Sequence, residues 1–150
     1  MRRLRLAGVA MVIVGALLLF GSLFLTWSHQ FSTAVLAQWG ASPVLAGIPR
    51  NPTAWQLYSA TDVLLAVLAV ALPIVAFAGR RRGRLVILAA AGVALAFVIH
   101  ALNVPPTNRA TFFEAAVHVP TMPMAGAGEA VAAAGLGTAI IGLLLTLGAR

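Results

Sequence analysis

The sequence has no cysteine, no lysine, a single tyrosine and only three carboxylates in 150 residues. Without cysteine there is no disulfide framework, no thiolate metal site and no thiol redox chemistry. That excludes disulfide-exchanging membrane enzymes and the disulfide-stapled outer loops of claudin-like or tetraspanin-like proteins. Charge is scarce as well. Charged residues make up 9% of the chain and hydrophobic ones 61%, against roughly 25% charged in a typical soluble domain. So few charges cannot cover a water-facing surface, and a disordered chain needs low hydrophobicity. Catalytic signatures are missing too. There is no HExxH, no P-loop, no dinucleotide fingerprint and no G-x-S-x-G elbow, and the serines and threonines have no paired base. The chain reads as an integral membrane protein, non-enzymatic and without a cofactor.

What is present is apolar and continuous. Residues 6–25 carry no charge, 57–78 carry only Asp62, 85–102 hold His100 near their end, and 125–149 hold Glu129 near their start. A helix needs about 20 apolar residues to cross the hydrocarbon core. Lipid offers no partner to free backbone groups, so each run is expected to be α-helical. The expected fold is all-α: one four-span transmembrane domain over residues 1–150, a four-helix bundle with two partly helical extracytoplasmic loops. Met1–Arg5 followed by an apolar run also resembles a signal peptide, with Val35-Leu36-Ala37 as a cleavage site. The run is longer than an h-region of about 7–15 residues, which favours a retained anchor.

All ten basic residues are arginine. Arg2, Arg3 and Arg5 precede the first span, Arg80, Arg81, Arg82 and Arg84 are expected to fill a tight turn between the second and third, and Arg150 follows the fourth. Only Arg50 and Arg109 fall in the two other segments. The positive-inside rule then places both termini on the cytoplasmic side of the cytoplasmic membrane. No aromatic residues are interleaved with the arginines, so nucleic acid is not an expected partner. The lipid bilayer is, together with a membrane-protein partner or a second copy.

Inside the spans, Pro73 predicts a kink near Ala69–Pro73. Thr53/Gln56 and Ser59/Asp62 both match capping boxes that could start the second span. In the last span Gly126, Ala130, Ala134, Thr138, Gly142 and Thr146 recur every fourth residue, a small-residue ridge suited to close helix packing within the bundle or against a partner. Gly8, Gly15 and Gly21 offer weaker small positions in the first span.

The loops 26–56 and 103–124 are long for so small a protein, and long loops without a role are uncommon. They carry the three tryptophans, Trp27, Trp39 and Trp55, expected as interface anchors. Phe31, Val35, Leu36 and Trp39 fit one face of a short surface helix, and Thr111–Glu114 opens another that ends near His118. Asp62 and Glu129 fall in first helical turns and His100 in a last turn, positions the helix dipole favours and from which each side chain can reach the interface. Ionisable groups in a span are also functional candidates, so Asp62, His100 and Glu129 form a candidate outer-face polar site for a proton relay or ligand. Glu114 and His118, spaced i,i+4, could join His29 or His100 on a metal, but zinc needs three or four converging ligands.

Phe24-Leu25-Thr26-Trp27, then Thr53-Ala54-Trp55-Gln56, Asp62-Val63-Leu64-Leu65-Ala66 and Leu102-Asn103-Val104-Pro105-Pro106 form an ordered set. In this order the chain resembles small four-helix membrane proteins of unknown function from high-GC Gram-positive (actinobacterial) bacteria. The resemblance implies the same topology, singles out Trp27, Trp55 and Asp62, and supplies no activity. Glu129 departs from the more apolar start usual for the fourth helix of that group. Two functions follow as expectations: a non-enzymatic scaffold or accessory subunit of a membrane complex, or a small proton-coupled transporter using the carboxylate/His site. Small multidrug exporters carry a carboxylate deep in their first helix and have minimal loops, and this chain has neither feature.

Overall fold

The computed structural model describes residues 2–58, 60–106 and 122–148. Its elements run α1 (Arg2–Ser22), β1 (Ser28–His29), α2 (Thr33–Trp39), a 3₁₀ turn (Pro43–Leu45), α3 (Ala54–Leu57), α4 (Thr61–Ala78), α5 (Arg81–Asn103), β2 (Met124–Ala125) and α6 (Ala127–Gly148). The helices over Arg3–Ser22, Thr61–Ala78, Arg81–Asn103 and Ala127–Gly148 are long and apolar enough to cross a membrane. At 1.5 Å per residue, the shortest, α4, spans roughly 27 Å, close to the ~30 Å hydrocarbon thickness.

The helix limits differ from the apolar runs for local reasons. The first span ends at Ser22, because Leu23, Phe24 and Leu25 donate to the carbonyls of Phe20, Gly21 and Ser22. These i→i−3 bonds tighten the chain out of the α-helix. The second run is broken in two. Thr53 and Gln56 do form a capping box, with Gln56 Oε1 accepting from the Thr53 amide at 3.1 Å, but it heads only the one-turn α3. Tyr58 is extended, with φ −124° and ψ 124°, and α4 starts afresh behind Ala60. Ser59 lies outside the described residues. Helix α4 then runs through Pro73 without interruption.

The third run starts earlier than its apolar limit. Only Gly79 and Arg80 link α4 to α5, so Arg81, Arg82 and Arg84 sit in the first turn of α5 rather than in a turn. Arginine is a good helix former, and nothing there stops the helix. Arg84 Nη1 donates to the Thr146 carbonyl at 3.3 Å, a cation at the C-terminal end of α6 where carbonyls lack helical partners.

Helix α1 packs most extensively on α6, and next on α4; α5 packs mainly on α6, and α4 touches α5 less. The core holds Val12 and Leu19 from α1, Leu23 just after it, Leu65, Leu68 and Leu72 from α4, Val98 from α5, and Leu136 and Leu143 from α6. The α1–α6 contact is antiparallel and built on glycine. A Cβ on Gly142 would meet the Gly8 carbonyl at 2.6 Å, and one on Gly135 would meet the Gly15 carbonyl at 2.8 Å. Seven residues further along, a Cβ on Gly128 would lie 3.0 Å from the Ser22 carbonyl.

The buried positions of α6 step by four and three residues: Gly128, Ala132, Gly135, Ala139, Gly142 and Thr146. The expected every-fourth ridge therefore does not lie along one contact. Each four-residue step advances a helix by about 400°, so the row winds round the helix. Gly126, Gly142 and Thr146 are buried, Ala130 and Ala134 are exposed, and Thr138 is partly exposed. Gly21 likewise faces open space.

The first loop is helical where expected. Ser32 Oγ accepts from the Val35 amide at 3.3 Å to cap α2. Its apolar face turns onto its own loop: Phe31, Val35 and Leu45 are buried together, with Leu36, Trp39 and Ile48 against them. The start of the loop is extended, a feature absent from the expected helical caps. Residues 26–30 form a strap held on both edges. On one edge Trp27 N donates to Pro52 O and Gln30 N to Arg50 O, both at 3.0 Å. On the other, β1 pairs antiparallel with β2, Ser28 opposite Ala125 and His29 opposite Met124. Gly126 N donates to Trp27 O at 2.9 Å and Gly128 N to Thr26 O at 2.8 Å. Buried Gln30 adds Nε2 bonds to Ser28 Oγ (2.7 Å) and to Pro106 O (2.9 Å).

Candidate functional site

The strap closes the end of the helices opposite Arg5 and Arg84, and the two span carboxylates lie beneath it. Asp62 is in the first turn of α4 and Glu129 in the first turn of α6. Both were expected to reach the interface, and neither does: each is 0% exposed. Trp27 of the strap lies against Gly128, the residue before Glu129, and against the Tyr58 ring. Among the described residues none of their four oxygens has a hydrogen-bond partner. The Gly126 amide lies beside Glu129, but it is held by the Trp27 carbonyl. A sealed carboxylate without a donor is costly as a charge, so these two positions demand a chemical explanation more than any others described.

Tyr58 connects them. Its extended backbone carries the ring between Trp27, at a centroid distance of 5.9 Å, and Phe97, at 5.4 Å, both edge-to-face. Burial pushes the Tyr58 hydroxyl up to about 12, with smaller contributions from the charges of Glu129 and Asp62. One phenol is therefore within electrostatic reach of both carboxyls. Tyr58 did not stand out in the sequence. The available signals were that it is the only tyrosine and that it lies four residues before Asp62 in the chain.

Trp27 forms the roof. It is fully buried, and its indole Nε1 donates to the Ser22 carbonyl at 2.8 Å. A Cβ on Gly128 would collide with the Trp27 ring, and one on Gly126 with the Thr26 carbonyl. Glycine at both places is what lets the strap lie flat on the start of α6. Trp27 is therefore not an interface anchor: the strap turns it inward, where its N–H finds a carbonyl. Trp39 is half-buried in the loop cluster. Trp55 is 41% exposed and packs on Phe24 at 6.1 Å, an outward position open to an interface.

His100 is not brought into the site. It lies in the last turn of α5 with an exposed side chain, and it makes no hydrogen bond to either enclosed carboxyl. His29 is also exposed and pairs through Nδ1 with Asn51 Oδ1 at 2.8 Å. Glu114 and His118 lie outside the described residues. Among the described residues no group of three or more His, Cys, Asp or Glu could hold a metal ion. Two of the cavities are lateral and apolar. One of about 480 Å³ lies between α4 and α5, lined by Leu64, Leu68, Val93 and Phe97 among others, and one of about 370 Å³ lies between α1 and α4 around Leu17 and Pro73.

No family model, curated protein or solved structure matches this chain.

Proposed function

We propose that the protein is a multi-pass protein of the cytoplasmic membrane, a four-span bundle with both termini cytoplasmic, and that it serves as a non-enzymatic scaffold or accessory subunit of a membrane complex. Kinship with the small four-helix membrane proteins it resembles belongs to the same proposal. The observation that carries the reading is on α6. Its inward small residues are consumed by α1, while Ala130 and Ala134 are exposed and a Cβ on Gly137 would meet nothing within 4 Å. Small residues turned away from a helix's own fold let a second helix approach closely in lipid. The partner is another membrane protein or a second copy, and the bilayer surrounds the exposed Val67, Ile74, Phe77 and Val93. Orientation rests on arginine, since Arg3, Arg5, Arg80, Arg81, Arg82 and Arg84 gather at one end of the helices.

The test is crosslinking and co-purification in mild detergent. A partner or a second copy should be retained by the native chain and lost from an Ala130→Leu/Ala134→Leu variant, whose changes meet no internal neighbour. Recovery of a lone monomer from native membranes would count against the reading. The enclosed Asp62 and Glu129 favour a second reading, a small proton-coupled carrier. Asp62→Asn leaving uptake and efflux unchanged would sink it.

A further inference from the structure

We propose that Asp62 and Glu129 form a proton-binding site closed by the strap of residues 26–30, so that releasing their protons is coupled to opening of that strap. The inference rests on the site of the carrier reading but not on transport itself.

The ligand follows from the space available. The oxygens of both carboxyls are buried, and none has a donor among the described residues. Zinc needs three or four side-chain ligands, and among the described residues no three of His, Cys, Asp or Glu gather to hold a metal ion. A proton needs neither room nor further ligands, and it removes the charge that the enclosure cannot solvate.

The coupling follows from what covers the pair. Trp27 rests on Gly128, next to Glu129, and on Tyr58, four residues before Asp62 in the chain. The strap that carries Trp27 is fixed to residues 124–128 by β1–β2 pairing and by the Gly126 and Gly128 amides. An ionised Glu129 requires donors. The nearest backbone donor, Gly126 N–H, is already engaged by the Trp27 carbonyl and can give Glu129 only a shared contact, and water enters only when the strap lifts. Loss of the proton and parting of the strap are thus two faces of one change.

Among the described residues no cation from the neighbouring elements relieves the pair. Tyr58 is the titratable group facing it from the α3–α4 connection. On α5, His100 is exposed. On the strap, His29 is exposed and joined to Asn51. In the first loop Arg50 Nη2 donates to the Gly40 carbonyl at 2.7 Å. From α1 the polar neighbour is Ser22, whose hydroxyl donates to Leu19 O. The remaining described arginines lie at the far end.

The test is hydrogen–deuterium exchange of the full-length protein in lipid vesicles across pH, corrected for intrinsic base catalysis. The Trp27, Gln30, Gly126 and Gly128 amides should exchange at least tenfold faster once the carboxyls ionise. In Asp62→Asn/Glu129→Gln, whose side chains stay neutral at the same size, they should remain protected at every pH. Infrared difference spectra of the unmodified protein give a second reading that needs no variant: a protonated-carboxyl C=O band should disappear over the same pH range. Strap protection that does not change with pH would overturn the inference, as would a pH response that survives in the double variant. Strap opening in a protein that moves no substrate would leave the inference standing and remove the carrier.

Discussion

Gly15 and Gly135 face each other across α1 and α6 with no room for a methyl group on either. A Cβ on Gly135 would lie 2.8 Å from both the Gly15 carbonyl and the Leu19 amide, and one on Gly15 would fall against the Gly135 carbonyl. Gly8 and Gly142 repeat the arrangement one heptad away. In lipid, where apolar burial drives helices together only weakly, this backbone approach is the main source of packing energy. Gly135→Leu should therefore destabilise the protein by about 1–3 kcal/mol, the usual range for overpacking. Gly137→Ala should be neutral or stabilising by up to about 1 kcal/mol through helix propensity, since a Cβ there meets nothing. Unfolding in mixed micelles, compared between the two variants, checks the contrast.

The three tryptophans should separate in the same assay. Trp27→Ala removes a fully buried ring and should cost about 3–5 kcal/mol. Trp27→Phe keeps most of the volume but loses the bond to Ser22 O, and should cost about 0.5–1.5 kcal/mol. Trp55→Phe, at an exposed position, should change stability by less than about 0.5 kcal/mol.

Because Tyr58 is the only tyrosine, tyrosinate absorbance reads it alone. In Asp62→Asn/Glu129→Gln, where the strap stays closed at every pH, burial should hold the Tyr58 hydroxyl above the 10.0 of a free phenol. In the unmodified protein the carboxyls have ionised and the strap has parted well below that pH, so the midpoint should move back towards 10.0. The folded double variant keeps a proton that its unfolded chain loses as pH rises past 10.0, so its stability should fall there. Tyr58→Phe should abolish this component of the fall.

The proposed orientation predicts that green fluorescent protein fused after Arg150 fluoresces while alkaline phosphatase at the same place stays inactive. Replacing Arg80, Arg81, Arg82 and Arg84 with alanine should raise the share of inverted molecules, because the charge bias of that end is then carried by the first and last residues alone.

The spans were legible in the sequence because hydrocarbon thickness imposes a length that composition must meet. The placement of Asp62 and Glu129 in first turns was legible for the same reason. Their enclosure was not. It depends on a strap whose strands are two residues long, and such pairing is set by tertiary contacts rather than by any alternation within residues 26–30. The seam was read out of phase. A four-residue row on α6 includes Ala130 and Ala134, which point away, and omits Gly128, Gly135 and Ala139, which touch α1. The true partners are visible only when Gly8, Gly15 and Ser22 are set antiparallel to it. Tyr58 was passed over because a lone aromatic ahead of a span resembles any other connector residue.

The pairing of α1 with α6 also dictates an order of events during synthesis. The first helix leaves the ribosome with Gly8 and Gly15 bare, and the surface that fits them follows only after α5. Residues 26–30 likewise wait for residues 124–128 before their second edge is satisfied. The earlier helices must therefore persist without their main neighbour until α6 has been made. A chain stopped after α5 would hold three helices in search of a fourth, and a separately expressed α6 is the segment that should complete it.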